Sequence, residues 1–205
     1  MGWTIYAKPK LSKTNKAHKK YPYLLRGVKV KKPDQVWSTD ITYIRCNQGR
    51  LYLTAIMDWY SRYILSWRIS NTFASEFCID ALEDAFDING AKIFNTDQGS
   101  QYTSDDFIAK LKEKKIKISM DGKGCYIDNI FIERFWRSIK QEDLFLKDYE
   151  DINELKNGIR AYINFYNFER PHSSLSYRTP AEIYYGRIQN KSADSKLIMA
   201  NKIRT

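Results

Sequence analysis

The most constraining feature of this chain is a change of period in its hydrophobic pattern. In LYLTAIMDWY (51–60), positions 51, 53, 55, 57 and 59 are all apolar. In RYILSWRI (62–69), Tyr63, Leu65, Trp67 and Ile69 are apolar, and Arg62, Ser66 and Arg68 sit between them. A period of two is that of a half-buried strand. VWSTDITYI (36–44) precedes them and is rich in β-branched and aromatic residues, so it also reads as a strand. Only short turns fit between the three, at 47–49 and 60–62, so the expected unit is a three-stranded antiparallel meander.

The period then lengthens. Ala74, Cys78, Ala81, Leu82 and Ala85 form one helical stripe over 74–86. AKIFNTD (91–97) is a short apolar run ending in Asp, a strand. Ser104 with Asp105 and Asp106 opens a helix that ends among Lys112, Lys114 and Lys115, the charge order the helix dipole favours. IKIS (116–119) is a strand. A helix follows over 128–146, with Ile132, Phe135, Trp136 and Ile139 inward. Another spans 151–168, with Ile152, Leu155, Ile159, Tyr162 and Tyr166 on one face, and it must stop before Pro171. Thr179-Pro180-Ala181-Glu182 is a capping box with proline in the first turn, and Gly186 closes that short helix. The expected class is a layered α/β domain.

Charge divides the chain. Residues 1–33 hold ten Lys and Arg and no acid, whereas 34–205 hold 24 of each sign. The net charge of +10 therefore belongs to an arm, and the body is neutral. A basic arm is the electrostatic footprint of a nucleic-acid binder, with Lys19 and Lys20 as candidate contacts, although a solvated tail has the same composition. The 43% apolar content supports a folded body. No apolar run approaches the roughly 18 residues that span a bilayer, and the N-terminus lacks a secretory h-region. Cys46, Cys78 and Cys125 are too few and too scattered for a disulfide frame, and two histidines do not complete a zinc site. The expected division is a basic arm or linker over 1–33, a core over 34–170, a short signature segment and helix over 171–186, and a polar tail over 187–205.

Three acids stand out. Asp40 interrupts an otherwise uncharged strand, Asp97 ends a strand before Gln98-Gly99-Ser100, and Glu133 sits on a helix beside Ile132 and Phe135. A carboxylate so placed is costly unless compensated, and hard cations are the usual compensation. Two such ions can activate a nucleophile and stabilise the leaving oxygen in an in-line phosphoryl displacement. Any one of these acids alone also fits a cap or turn. Asp58 reads as a turn residue before Tyr60-Ser61-Arg62, and Asp128 as a helix N-cap. Arg137 and Lys140 lie four and seven residues after Glu133, so the three share a helical face. That face suits a metal at one end and DNA phosphates along its length; an i,i+4 ion pair is the plainer reading. Asp121-Gly122-Lys123-Gly124 is a flexible loop that backbone and Lys123 would offer to phosphate, or a plain turn. YNFERPHSSL (166–175) gathers Asn167, Arg170, His172 and Ser173.

Taken together, VWSTDITYI, MDWYSR, NTDQGSQYTS, DGKGCYIDNIFIERFWRSIKQE, YNFERPHSSL and TPAEIY resemble the DDE transposases of bacterial insertion sequences. The match is to the second-reading-frame type related to retroviral integrases, and it covers most of 34–186. The 35 residues between Asp97 and Glu133 are the spacing of that group. The resemblance implies an RNase H-like fold, a mixed five-stranded sheet flanked by helices, with the Asp97 strand beside the Asp40 strand. It implies that Asp40, Asp97 and Glu133 bind two magnesium ions, for which manganese can substitute. Water then cleaves at an element end and the freed 3′-OH attacks a second phosphodiester. Lys140 matches a basic residue that contacts element-end DNA, Asn129 belongs to the same block, and His172 and Arg170 lie in the Arg-Pro-His signature. The implied partners are element-end and target DNA, the product of an upstream overlapping frame, and further copies of the chain on DNA, in a bacterial cytoplasm. Family members carry a longer N-terminal region of helix-turn-helix character, whereas this sequence starts just before the linker. A non-mobile DNA-binding fragment and an RNase H-like nuclease are therefore the alternatives.

Overall fold

The structure, a computed structural model, describes residues 20–46, 49–121 and 129–186. Strand β1 (Val36–Cys46) pairs antiparallel with β2 (Gly49–Asp58), and β2 pairs antiparallel with β3 (Ile64–Ser70). This is the expected meander. Two short strands, β4 (Ile93–Thr96) and β5 (Lys117–Met120), extend it in parallel from the other edge of β1, giving the order β3-β2-β1-β4-β5. The sheet is mixed and five-stranded, and β4 lies beside β1.

Each face of the sheet carries its own core. On one side Trp37, Ile56 and Leu65 meet Phe77, Ala81 and Leu82 of α1 (Glu76–Ile88) and Phe107 and Leu111 of α2 (Asp105–Glu113). On the other, Leu51, Leu53, Ala55 and Met57 meet Ile132, Phe135 and Ile139 of α3 (Ile130–Ile139) and Leu155 and Ile159 of α4 (Ile152–Phe168). Strand β2 is thus buried on both faces. Thr54 and Asp58, in the polar half of its alternation, are fully enclosed. Alternation reports which residues share a face, not whether the second face is also covered.

The helix caps follow their sequence signals. Ser104 accepts from the Phe107 N–H, Asp151 from those of Asn153 and Glu154, and Thr179 and Glu182 close a reciprocal capping box at α5 (Pro180–Tyr184). The helix expected over 128–146 is α-helical only over Ile130–Ile139 and continues as a π turn over Lys140–Leu144. In that wider turn Asp143 is buried, where it accepts hydrogen bonds from Tyr149 and Lys147. The Tyr149 ring crosses α4 at Gly158, where any Cβ would collide with it, so this helix carries glycine at its interior.

Two aspartates tie the body together at the start of β1. Asp58 accepts from the Asp34 N–H (2.8 Å), the Ser61 N–H (2.8 Å) and the Ser61 hydroxyl (2.6 Å), the turn role read from the sequence. Asp34 accepts from Trp37 Nε1, Asn89 Nδ2 and the Tyr184 hydroxyl. The 171–186 segment therefore folds back onto the core, with Tyr184 stacked on Tyr63 at 4.8 Å. Residues 20–33 lie against the body as well: Leu25 is buried, and the Leu24 N–H donates to Ser119 Oγ.

Candidate active site

Asp40 stands near the middle of β1, on the face covered by α3. Its Oδ2 accepts a 3.1 Å hydrogen bond from Trp136 Nε1. Its backbone carbonyl accepts from the Thr54 hydroxyl of β2 (3.2 Å). Thr54 and Thr39 in turn lie within 3.4 and 3.3 Å of the Tyr102 hydroxyl, a ring wholly enclosed on the other side of the sheet. Burial first, and the charges of Asp97 and Glu133 after it, push the Asp40 carboxyl up to about 6. The three acids singled out by sequence therefore share one electrostatic neighbourhood.

Asp97 lies one residue past β4, where the parallel pairing with β1 has ended. Its Oδ1 accepts the Gly99 N–H at 2.8 Å, an Asx turn that fixes the carboxylate. A Cβ on Gly99 would stand 2.8 Å from that same oxygen, so the turn requires glycine. The loop is anchored by Tyr102, by Gln98 donating to the Asp121 carbonyl and by Gln101 donating to the Phe73 carbonyl. Burial raises the Asp97 carboxyl, and the Gly99 N–H opposes that rise.

Helix α3 lays its apolar stripe on the sheet and leaves Glu133 and Arg137 exposed. The four ion pairs among the described residues involve neither of them. Lys140 turns toward the sheet, where its ammonium donates to Thr42 Oγ1 at 2.6 Å, two residues along β1 from Asp40. Burial lowers the Lys140 pKa and the Asp40 charge opposes that shift. The start of α3 is held by Arg62, whose guanidinium sits 3.2 Å from the centre of the Phe131 ring.

The remaining candidates lie apart from these acids or outside the described residues. Asn129 precedes α3 as its N-cap residue, with a buried side-chain oxygen that has no partner among the described residues. Arg170 is held by both carboxylate oxygens of Glu142, which also accepts from the Tyr162 hydroxyl, so its guanidinium ties the π turn to the end of α4. His172 packs edge-on against Tyr166 at 4.7 Å, and burial and the Arg170 charge lower its pKa to about 4. Lys20 is exposed. Lys19, Lys123 and Asp128 lie outside the described residues, as does Cys125. Cys78 is a buried thiol pushed up to about 12 by burial.

Trp136, Gly99, Thr54 and Tyr102 are the positioning residues that sequence reasoning missed. Gly99 had a local signal, an Asp with glycine two residues on. Trp136 was legible only as an apolar position, because its N–H finds Asp40 across 96 residues of chain.

The donor set is all carboxylate oxygen, which suits a hard divalent cation. No lysine or arginine forms an ion pair with any of the three acids among the described residues, and the Lys140 ammonium, which feels the Asp40 charge, is bonded to Thr42 instead. Among the described residues no three His, Cys, Asp or Glu side chains are gathered closely enough to grip a single ion. Electrostatic coupling, not shared contact, joins the acids.

Two family models, each described as an integrase core domain, match residues 30–124 and 114–180. The chain belongs to the integrase core domain family. Among curated relatives, this integrase-core chain is 32% identical over 162 residues to a putative transposase, InsK, for insertion sequence element IS150 of Escherichia coli, with 78% of this chain and 57% of that protein covered. It is 34% identical over 166 residues to the transposase for insertion sequence element IS904 of Lactococcus lactis, with 78% and 66% covered. The chain thus spans a little over half to about two thirds of the length of these relatives. Among solved structures, the HTLV-2 integrase catalytic core domain in complex with magnesium superposes with a TM-score of 0.62 at 23% identity, covering 75% of this chain and 97% of that one. A chain of the simian T-cell lymphotropic virus intasome in complex with PP2A regulatory subunit B56 gamma gives 0.67 at 18% identity, covering 88% of this chain and 64% of that one. At these identities the structural likeness establishes the fold, which is the RNase H-like architecture of integrase cores.

Proposed function

We propose that this chain is the catalytic domain of an insertion-sequence transposase, which cleaves DNA at element ends and joins the freed 3′-OH to a target phosphodiester. The observation that carries the reading is the coupling of Asp40 to Asp97 and Glu133 at the junction of β1, β4 and α3. A buried carboxyl whose proton affinity is raised further by two neighbouring acids is a poor arrangement for stability and a suitable one for cations. The relatives named as transposases and the magnesium complex of the HTLV-2 integrase core support it.

In this reading Asp40, Asp97 and Glu133 hold two magnesium ions, and manganese substitutes. Bound there, such ions lower the pKa of an attacking hydroxyl and stabilise the charge on the leaving oxygen. The chain's own groups supply position. Trp136 Nε1 holds one oxygen of Asp40, and the Gly99 N–H holds one oxygen of Asp97, so each carboxylate keeps its other oxygen for a ligand. Lys140, whose ammonium reaches Thr42 two residues along β1 from Asp40, and Arg137, exposed on α3, offer positive charge to the phosphates that flank the reacting bond. Lys20 and the basic 1–33 arm add sequence-independent affinity. Partners in this reading are element-end and target DNA, other copies of the chain, and the product of an upstream frame, in a bacterial cytoplasm.

The test is cleavage and joining of an element-end oligonucleotide with magnesium or manganese. Glu133→Gln and Asp97→Asn abolish both products while leaving the fold intact. Undiminished joining by Glu133→Gln would refute the assignment, and hydrolysed ends that are never joined would favour a nuclease.

A further inference from the structure

Strand β1 continues for six residues beyond Asp40, and this distal part of the hairpin is where one sheet face becomes open to solvent. Tyr43 pairs directly with Tyr52 across the β1–β2 ladder, and the next pair on the same face is Arg45 with Arg50. Phe73, from the loop before α1, closes an aromatic trio. Its ring lies 4.7 Å from Tyr52 and is stacked at 6.2 Å with Tyr43, and the two tyrosines are 5.3 Å apart. Tyr43 is 52% exposed and Phe73 44%.

This arrangement works against stability on two counts. Large rings face water, and two like charges face each other across a ladder, which is unfavourable. The four ion pairs among the described residues give neither arginine a counter-ion. Rings with two unpaired guanidiniums beside them match a nucleic-acid strand: π faces for bases and cations for phosphates. The face is linked to the acids through one loop. Phe73 is tied through its carbonyl to Gln101, in the loop that carries Asp97. Tyr43 is three residues past Asp40, roughly 10 Å along the strand and on the opposite face of the sheet.

We propose that the Tyr43–Tyr52–Phe73 face with Arg45 and Arg50 is a stacking platform for unpaired DNA bases, on the sheet face opposite the Asp40 carboxylate. It rests on the DNA-processing reading above and adds to it that a strand of the bound DNA is held unpaired away from the reacting bond. Carbon-rich partners such as an apolar protein segment are disfavoured by the arginine pair. Duplex DNA is disfavoured because its bases offer no free π face.

The test uses the full chain without metal, with a single-stranded oligonucleotide carrying 2-aminopurine and the same oligonucleotide in a duplex. Binding of the single strand quenches the fluorophore. Tyr43→Leu and Phe73→Leu each weaken single-strand binding by about tenfold and remove the quench, whereas Tyr43→Phe keeps both and duplex binding is unchanged. Arg45→Gln with Arg50→Gln flattens the salt dependence of single-strand binding by a slope of about one or slightly more. Leucine variants that bind and quench like the parent overturn the proposal. So does a Tyr43→Leu change that alters the oligomeric state and leaves DNA binding alone, since the face would then belong to a second copy. Because this assay needs no catalysis, base stacking without any cleavage would defeat the catalytic reading alone, and cleavage without stacking would defeat the platform alone.

Discussion

Replacing Asp40 by Asn should stabilise the metal-free protein, by an amount set by pH. Burial and the neighbouring acids hold the Asp40 carboxyl up at about 6 in the folded chain, against 3.8 for an ordinary aspartate. Between those values the folded chain retains a proton that the unfolded chain has released. Stability is therefore greatest below the unfolded value and is lost as the pH rises through about 6. The difference of about two units corresponds to roughly 3 kcal/mol, and asparagine, neutral throughout, escapes that loss. Its side-chain oxygen still accepts the Trp136 N–H. In the presence of EDTA, parent and Asp40→Asn should unfold alike near pH 4. At pH 8 the variant should be more stable by up to about 3 kcal/mol, roughly 6–12 °C in Tm for a chain of this size. Added magnesium at pH 8 should raise the parent's Tm by mass action and leave the variant's nearly unmoved. Thermal denaturation followed by circular dichroism across pH 4 to 8 measures this directly. A variant that is less stable than the parent at pH 8, or two pH profiles that run parallel, would refute the coupling of the three acids.

Three further outcomes follow from the same geometry. Gly99→Ala places a Cβ 2.8 Å from Asp97 Oδ1, so strand cleavage should fall on the order of a hundredfold with little change in Tm; unchanged cleavage would mean that the Asx turn does not set the Asp97 carboxylate. Asn167 both accepts from the Ile64 N–H and donates to the Ile64 carbonyl at 2.9 Å, so Asn167→Leu should cost about 3 kcal/mol in urea denaturation by leaving both buried groups unpaired. His172, lowered to about 4, should show imidazole NMR shifts that stay constant from pH 5.5 to 8, with His18→Gln used to assign the two histidines; a midpoint near 6.5 would place the ring in water rather than against Tyr166.

Legible in the sequence alone were the order of elements, the apolar stripes of α1, α3 and α4, the caps at Ser104 and Thr179, and the turn role of Asp58. These are local properties, carried by periodicity and by side chains that bond their own neighbouring backbone. It also brought Asp40, Asp97 and Glu133 forward as candidates through spacing and a family resemblance. What it left open is non-local. Whether β2 was covered on one face or two depended on where α1 and α3 landed. The helix read as continuous to 146 changes to a π turn at Lys140 because Asp143 is drawn inward to Tyr149 and Lys147. Arg170 and Lys140 read as candidate DNA contacts, yet one is held by Glu142 and the other bonds Thr42. Most of all, the Asp40 carboxyl is raised because α3 and the Asp97 loop close around it, and Trp136 aims its N–H there from 96 residues away. Desolvation and charge coupling depend on distances in space, so only the tertiary structure could turn three ordinary acids into one site.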